Sequence, residues 1–451
     1  MSLGEKLSTR FWLCPALLLA LGGTALPAYG KRVNGRITFG GYAANENFSD
    51  EDSGSTRNDF LTTSGRLFLE ASELGERENW STTLDLRDKH DFFDKLDRER
   101  LQLTDHNTFQ VRQMSGRYGR EGRRGFFEFG RFPLIDAGNV QCDGAAVGFM
   151  PNSAVTMTAF GGLNPKRPDQ QYMTFNSNAQ HYGGIVQYQN LRGGWSKNLF
   201  ASAALVEQRV EGQVDRRYLF SSSSVQWSPQ SRLIHLLYLD FVPRTYVQTG
   251  YLDLNLGITR ALEAQVRGLA VDVIEYSRRQ GLRERLAPSP YREGTVGLSL
   301  LSAKNIRGVL DLTYGKRSDQ LDKRELRIKL QMPRLISPKW DASLSLINRD
   351  NFISKDTLGR GGLGYFSRRY ELSVEAESGL EKYNDGTNRH PLTVEFSGGY
   401  YMSRALFTAL SYERAQDEKV KINSVFLKVS YRFGNEEIAP LRNGAAPRGR
   451  L

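Results

Sequence analysis

The sequence predicts an all-β chain, an antiparallel up-and-down β-barrel of about 22 strands (range 16–22) that crosses a membrane. Three observations predict this fold class. Apolar and polar residues alternate in runs of about eight to eleven residues. Short and long connections alternate between these runs. An export signal precedes the first run.

The first 30 residues have the layout of a secretory signal peptide. Lys6 and Arg10 supply the positive start, residues 11–21 form a short apolar run, and Ala28 and Gly30 supply the small residues of a cleavage site. No later stretch of about 18 apolar residues exists, so no membrane-spanning helix is expected. We expect residues 1–30 to be a signal peptide, residues 31–434 to form the barrel, and residues 435–451 to be a disordered periplasmic tail.

The alternating runs are clearest at residues 250–258, 324–332, 340–346 and 370–376, where aliphatic residues occupy one face and charged or hydroxyl residues the other. A tilted strand needs roughly 9–11 residues to cross the hydrocarbon core, whereas strands of soluble sandwiches are usually nearer five or six. The run length therefore favours a membrane barrel. The runs are centred near residues 37, 65, 83, 113, 128, 147, 158, 185, 203, 222, 236, 254, 266, 298, 310, 328, 343, 362, 373, 396, 409 and 428.

The connections alternate in length through the second half of the chain. Those at 228–231, 259–261, 302–305, 367–369 and 402–404 are very short, and longer polar links lie between them near 271–293, 316–323, 348–357, 378–390 and 413–422. Outer-membrane barrels have short periplasmic turns and longer extracellular loops. A sandwich has no reason for such parity. An even strand number then puts both termini in the periplasm.

The last strand alternates regularly and closes on Tyr431 and Phe433. It resembles the C-terminal insertion signal of Gram-negative outer-membrane proteins. The resemblance implies a place in the outer membrane of a Gram-negative bacterium, among its lipids, and recognition of this strand by the barrel-assembly machinery. That signal usually ends the protein, whereas here a Gly-, Pro- and Arg-containing tail follows. The whole chain resembles a porin-type barrel without indicating one family.

Motifs for chemistry are weak. Without the signal peptide Cys142 is the one cysteine, which excludes an internal disulfide and a multi-cysteine metal site. The glycine pattern of residues 359–364 lies within an alternating run, so no cofactor is expected. Asp88, His90 and Asp91 suggest acid–base work, but the five histidines are scattered. We expect no catalytic residue and no metal, and no nucleic-acid partner, because the net charge of +11 is not concentrated in one block.

With the aliphatic face outward, charged residues of both signs point into the lumen. The first four strands lean basic and the strands near residues 371–395 lean acidic, and one interpretation is a basic wall across from an acidic one, with a transverse field. The interpretation that we favour is a set of hydrated, mutually paired lumen residues, which any polar lumen needs. The pore-lining candidates are Arg36, Arg66, Arg87, Arg112, Arg267, Arg327, Lys329, Lys428, Arg432, Glu371, Glu375 and Glu395.

A barrel of about 22 strands encloses a lumen too wide for side chains alone to fill. The strands begin almost directly after the signal peptide, so we expect no plug domain, and the lumen is then open, narrowed by inward-folded loops or filled by a partner. The candidate constricting loops are residues 133–144 and 272–293. The sequence favours a porin-like channel for passive diffusion of small hydrophilic solutes or ions. Two alternatives stay open: a sleeve around a periplasmic or lumenal partner, such as an electron-transfer cytochrome or a secretion subunit, and an outer-membrane barrel enzyme.

Overall fold

A computed structural model describes residues 30–50, 54–75, 78–92, 107–119, 124–165, 175–190, 198–272, 290–302, 306–319, 321–335 and 337–434. Residues 1–29 of the predicted signal peptide and the whole predicted tail lie outside this part of the chain. The strands are β1 Gly30–Asp50, β2 Gly54–Leu74, β3 Trp80–Asp91, β4 Asn107–Tyr118, β5 Gly125–Leu134, β6 Val140–Phe149, β7 Val155–Pro165, β8 Phe175–Asn190, β9 Leu199–Val210, β10 Gln213–Gln226, β11 Arg232–Val242, β12 Tyr246–Gly257, β13 Leu262–Val271, β14 Tyr291–Leu301, β15 Arg307–Arg317, β16 Asp322–Pro333, β17 Trp340–Asp350, β18 Ser354–Phe366, β19 Tyr370–Tyr383, β20 Asn388–Arg389, β21 Leu392–Tyr401, β22 Leu406–Gln416 and β23 Val420–Gly434.

The strands form one closed antiparallel sheet. Each strand pairs with the next along the chain, and β23 pairs with β1 from Gly434 to Val420, which closes the barrel. The two-residue β20 only extends the edge of β19 beside β21, so 22 strands build the wall. The predicted barrel is confirmed, and each predicted run centre falls within a different wall strand. Among the described residues no helix is long and apolar enough to cross a membrane.

The two faces of the wall differ in chemistry because neighbouring residues of a strand point to opposite sides. On β16, Leu326, Ile328 and Leu330 are 39%, 43% and 42% exposed. Arg327 and Lys329 lie between them on the other face. The aliphatic face, which is exposed on strand after strand, is called the outer face, and the opposite, polar face is called the inner face. Exposed aliphatic side chains in such a band are what a hydrocarbon environment requires.

The two ends of the barrel are defined by its links. The turn end holds the first and last residues of the sheet, Gly30 and Gly434, together with the short links at 227–231, 258–261 and 367–369. The outer face carries paired aromatic rings close to this end, at the depth where an aromatic belt would meet the membrane–water interface. Their ring centroids lie 4.9–5.1 Å apart in the pairs Trp80–Tyr118, Trp340–Tyr365 and Tyr370–Tyr400.

The other end, called the loop end, holds the links that the sequence predicts to be longer. The link between β13 and β14 is long, and its residues 273–289 lie outside the described residues. Three others are shorter than predicted, with only residues 318–321, 351–353 and 417–419 outside the strands. Polar residues there continue the strands, because the ladder of backbone hydrogen bonds extends beyond the part of each strand that alternates clearly.

One hairpin leaves the wall. The β4–β5 ladder stops at Met114 and Arg131, and the β6–β7 ladder stops at Asp143 and Leu163. Residues 131–143, called the inner hairpin, continue as a β5–β6 hairpin whose tip is a 3₁₀ turn at Ile135–Ala137. The predicted inward loop at residues 133–144 is this segment.

Two glycines opposite each other form the bend. Gly130 pairs with Gly144 in the β5–β6 ladder. Gly130 has φ +106°, and a Cβ there would overlap the carbonyl oxygen of Met114. A Cβ at residue 144 would overlap the backbone of Gly161 and Gly162. The absence of both side chains lets the hairpin turn off the wall while its neighbours stay close.

We predict that Gly130→Ala destabilises the barrel by more than about 1 kcal/mol. Alanine at this positive φ strains the backbone, and its Cβ overlaps the Met114 carbonyl oxygen. The measurement is urea-induced unfolding in micelles, followed by tryptophan fluorescence. Gly268→Ala is the matched control, since nothing lies within 4 Å of a Cβ added in that strand. Equal unfolding midpoints for the two variants would contradict the role of Gly130.

Candidate functional site

The tip of the inner hairpin is packed against the inner face of neighbouring strands. Phe132 and Ala137 of the hairpin are 1% and 0% exposed, and Val206 of β9 is 0% exposed. They belong to one apolar cluster, which is buried although it lies inside a barrel. Its members are Phe132, Leu134, Ala137, Val140, Cys142, Ala146, Phe160, Ile185, Ala204, Val206, Tyr218 and Phe220, with Leu236 and Tyr238 packed against them.

Polar side chains of the wall satisfy the backbone of the hairpin tip. The Tyr218 hydroxyl donates to the carbonyl oxygen of Ala137 at 2.9 Å, and the Tyr238 hydroxyl donates to that of Gly138 at 2.7 Å. The Gln187 Nε2 donates to Asp136 Oδ2 at 2.6 Å. Buried backbone oxygens need such partners, so these bonds fix the position of the tip as well as its depth.

A buried ion pair stands where the hairpin leaves the wall. Arg131 Nε and Nη2 donate to the two Asp143 carboxylate oxygens at 2.5 and 2.6 Å, and both side chains are 1% exposed. Arg131 Nη1 also donates to the carbonyl oxygen of Val111 on β4 at 2.9 Å. The Gln141 amide donates to the carbonyl oxygen of Arg112. Side chains of the hairpin therefore occupy backbone acceptors of β4 that a continuing β5 would otherwise use.

The remaining tip residues stay accessible. Ile135 is 68% exposed, and Asn139 is also exposed, with φ +58°. Because the hairpin lies on the inner face, these side chains project into the open part of the lumen. The other predicted inward loop, residues 272–293, lies mostly outside the described residues. The inner hairpin is thus the narrowing element in the part of the lumen that the structure describes.

Four predicted lumen cations form like-charged neighbours near the closure of the barrel. Arg36 of β1 stands opposite Arg432 of β23, and Arg66 of β2 stands opposite Arg87 of β3. Arg66 also makes a bidentate contact with Asp85, at 2.8 and 2.7 Å. The arrangement leaves a surplus of positive charge along these strands.

Three further predicted cations lie on β13 and β16. Arg267 stands opposite Asp253, with 4.0 Å between Nε and Oδ1. Arg327 Nη2 donates to Glu325 Oε1 at 2.7 Å, while Lys329 lies on the same face, two residues along β16. Arg267 and Arg327 therefore each have a carboxylate close enough to form an ion pair.

The predicted lumen acids lie together on β19 and β21. Glu371 Oε1 accepts a hydrogen bond from the Tyr401 hydroxyl at 3.0 Å. Glu375 accepts from Arg360 Nε at 2.9 Å and stands directly opposite Glu395 in the ladder. The two strands thus place carboxylates side by side on the inner face.

The predicted transverse arrangement of charge is wrong. Closure of the barrel through β1 and β23 puts the basic strands β1–β4 beside the acidic strands β19–β21, with only β22 and β23 between them. Lys428 of β23 lies at this junction, between Ala409 and Gly40. Arg112 lies at a register shift of β4, where it has no opposite residue on β3 and the alternation of faces is interrupted.

The C-terminal strand places its aromatic end on the outer face. The Tyr431 side chain is 47% exposed, and its ring centroid lies 6.2 Å from that of Phe433. Phe433 lies over Gly35 of β1, where an added Cβ would overlap the ring. The Phe433 ring therefore covers the junction between the first and last strands. Recognition of this strand by the assembly machinery stays a prediction.

Several inner-face residues have no counterpart among the predicted site residues. Phe366, Phe407 and Phe426 occupy positions where the strand pattern calls for polar residues. Sequence reasoning treats aromatics as outer-face residues, so it passes over them. The signal that marks them is their place within the alternation, since Phe426 lies between the outward Val425 and Leu427.

A pair of links at the loop end is tied by one carboxylate. Glu418 accepts hydrogen bonds from the His390 backbone N–H at 3.0 and 2.9 Å and from His390 Nδ1 at 2.6 Å. Bonding to the side chain of His390, and then to its backbone, lowers the pKa of Glu418 below its ordinary value.

Comparison with solved structures supports the barrel fold. No family model matches the sequence, and no curated protein matches it significantly. The P pilus usher (PapC) translocation pore superposes with a TM-score of 0.50 at 8% identity, over 89% of this chain and 99% of that one. OccAB4 of Acinetobacter baumannii gives 0.41 at 8% identity, over 91% and 100%. OccK8 (OprE) of Pseudomonas aeruginosa gives 0.43 at 11%, over 89% and 98%. At these identities the similarity to the usher pore shows the barrel fold alone.

We predict that Asp143→Asn destabilises the barrel by about 3 kcal/mol, because it leaves the Arg131 guanidinium buried without its counter-charge. Urea unfolding measures the loss. The double variant Arg131→Met with Asp143→Leu should recover much of it, since no charge is then buried. Asp59→Asn is the control: its partner Arg57 is 67% exposed, and exposed pairs contribute about 0–1 kcal/mol. A loss no larger than in this control would contradict the buried pair's role.

We also predict a pH effect at the loop end. Because the folded pKa of Glu418 is lowered, its stabilising contribution is present above the unfolded pKa and is lost as pH falls through the folded pKa. A carboxyl NMR titration should give a lower midpoint for Glu418 in the wild type than in His390→Ala. Identical midpoints would show that the imidazole has no influence on this carboxylate.

Proposed function

We propose that this chain is an outer-membrane channel of the porin kind, through which small hydrophilic solutes or ions diffuse passively. The observation that carries the proposal is a closed wall of 22 strands with an exposed aliphatic outer face and a charged, hydroxyl-rich inner face. A wall of that polarity separates hydrocarbon from water, and its lumen offers polar solutes a hydrated path.

The proposed orientation follows from the links. The even number of wall strands puts Gly30 and Gly434 at the same end, with the short turns. This end is assigned to the periplasm, and the loop end to the cell exterior. Outer-membrane lipid then surrounds the outer face, and the barrel-assembly machinery would engage the last strand through Tyr431 and Phe433.

The inner hairpin is the proposed constriction. It leaves the wall at Gly130 and Gly144 on the exterior half and rests on the inner face of β8–β11, where the Tyr218 and Tyr238 hydroxyls hold it. Residues such as Ile135 then border the narrowed passage. Selectivity comes from the remaining width and from lumen charges of both signs, the predicted pore-lining residues among them.

The proposed function is transport, without a catalysed reaction. The strand places the acid–base candidates of residues 88–91 on opposite faces of β3. His90 Nε2 lies 2.7 Å from Asp88 Oδ2 on one face of β3, whereas Asp91 accepts from the Thr62 hydroxyl on the other face. Its members therefore do not converge on one reacting atom, which favours the channel over a barrel enzyme.

We predict that the refolded full-length chain produces large, stable conductance steps in a planar bilayer.

Replacement of residues 134–140 by a short Gly-Ser linker should raise the single-channel conductance, because the obstruction is removed while Gly130 and Gly144 still close the hairpin. Gly212 lies in a tight link between β9 and β10 with nothing within 4 Å of an added Cβ, so a Gly-Ser insertion there is the control. A salt gradient in the same experiment gives the ion preference through the reversal potential.

A folded barrel that shows no conductance, with and without the hairpin tip, would overturn the channel function. Unchanged conductance after removal of the tip, in a barrel that does conduct, would overturn the hairpin as the constriction.

A further inference from the structure

A pocket of about 340 Å³ lies in the inner wall of the barrel, formed by β18, β19, β21, β22 and β23 near the turn end. Most of its lining side chains lie on the inner face, so it opens to the lumen. Glycine, alanine and serine form its floor. The inner-face residues that line it are Phe366, Glu371, Ser373, Glu395, Ser397, Gly399, Phe407, Ala409, Ser411 and Phe426.

Three phenylalanine rings border this pocket although they lie on the polar face of the wall. Phe407 lies against Gly399, where an added Cβ would be 2.9 Å from the ring, and packs 4.6 Å from the ring of Tyr401. Phe366 and Phe426 border the pocket on the outermost of its strands, β18 and β23. Apolar rings facing a hydrated lumen gain free energy when a solute covers them.

Two carboxylates share the pocket with these rings. Glu371 accepts one hydrogen bond, from the Tyr401 hydroxyl at 3.0 Å. Glu395 stands opposite Glu375 on one side and Glu413 on the other, so three acids follow one another across the sheet. Arg360 forms an ion pair with Glu375 and also acts electrostatically on Glu395, but no cation of the described part of the chain lies within ion-pair distance of Glu395.

The neighbouring carboxylates repel one another, and a bound cation would reduce this repulsion. Like charges directly opposite each other destabilise a sheet, and a cation beside Glu395 relieves that repulsion. A cation is also attracted by the faces of aromatic rings. Lys428 lies opposite Ala409 at the rim of the pocket, so a cationic group is expected on the Glu371 and Glu395 side, away from this ammonium.

We propose that this pocket binds an organic cation with an aromatic or aliphatic ring, such as an arylalkylammonium. The ammonium donates to Glu395, while its ring packs in the part of the pocket that Phe366, Phe407 and Phe426 border. The proposal rests on the channel function, since it assigns the pocket to recognition of a solute on its way through the lumen. Neutral and anionic analogues lack the charge that Glu395 requires.

The test measures binding separately from conduction. Benzylammonium, benzyl alcohol and benzoate are titrated into the refolded full-length barrel by isothermal calorimetry. Benzylammonium is expected to bind at least about tenfold more tightly than benzyl alcohol, because a charge-assisted bond to carboxylate is replaced by a neutral one. Benzoate is expected to show no binding. The same preparations are then examined for conductance in a planar bilayer.

Variants identify the side chains responsible. Glu395→Gln and Phe407→Leu are each expected to weaken benzylammonium binding at least about tenfold and threefold, respectively. Glu70→Gln and Phe68→Ala remove a carboxylate and a ring of β2, which lies outside the pocket, and both variants should keep the affinity within about twofold. Heat-dependent migration on a gel confirms that each variant is folded.

The outcomes separate the two proposals. Benzoate binding as tightly as benzylammonium, or a folded Glu395→Gln barrel with unchanged affinity, overturns the pocket's assignment. So does a conducting barrel that binds no benzylammonium. Binding with the expected variant pattern in a barrel that does not conduct overturns the channel function and leaves the cation pocket in place.

Discussion

The ladder between β1 and β23 is the interaction on which the remaining structure depends. Hydrocarbon offers no partner to a backbone N–H or C=O group, so a sheet in a membrane is stable only if it has no free edge. The first and last strands supply each other with those partners from Gly434 to Val420. They also decide which charges become neighbours, because the two ends of the sequence meet at this junction.

That junction explains the failure of one sequence inference and the success of others. Strand positions follow from a local period of two, so every predicted run falls in its own strand. The parity of turns also follows from local sequence. The relation between basic β1–β4 and acidic β19–β21 depends on closure, so the interpretation that placed them on opposite walls is wrong, because only β22 and β23 separate them. Strand ends at the loop end extend further than predicted, since strands outside hydrocarbon need no apolar face.

The lumen was less predictable than the wall. Charges at inner positions such as Arg66 and Glu375 follow from alternation alone. The bend of the inner hairpin depends on two glycines that become opposite only in the folded register, Gly130 and Gly144. The pocket depends on rings from strands far apart in sequence, Phe366 and Phe426, that no local pattern brings together. Features made by register or closure therefore lie beyond a single-sequence reading.

The departure of the inner hairpin also shapes the mechanics of the barrel. Most neighbouring wall strands are joined by long backbone ladders, but residues 107–113 of β4 pair within the described chain only with β3 on one side. On the other side, two side chains, those of Arg131 and Gln141, hold β4 to the hairpin. Under a pulling force a few side-chain bonds rupture before a ladder does. The contact between β4 and β5 is therefore the mechanically weak boundary of the wall. We expect forced extraction from a membrane to separate these two strands first.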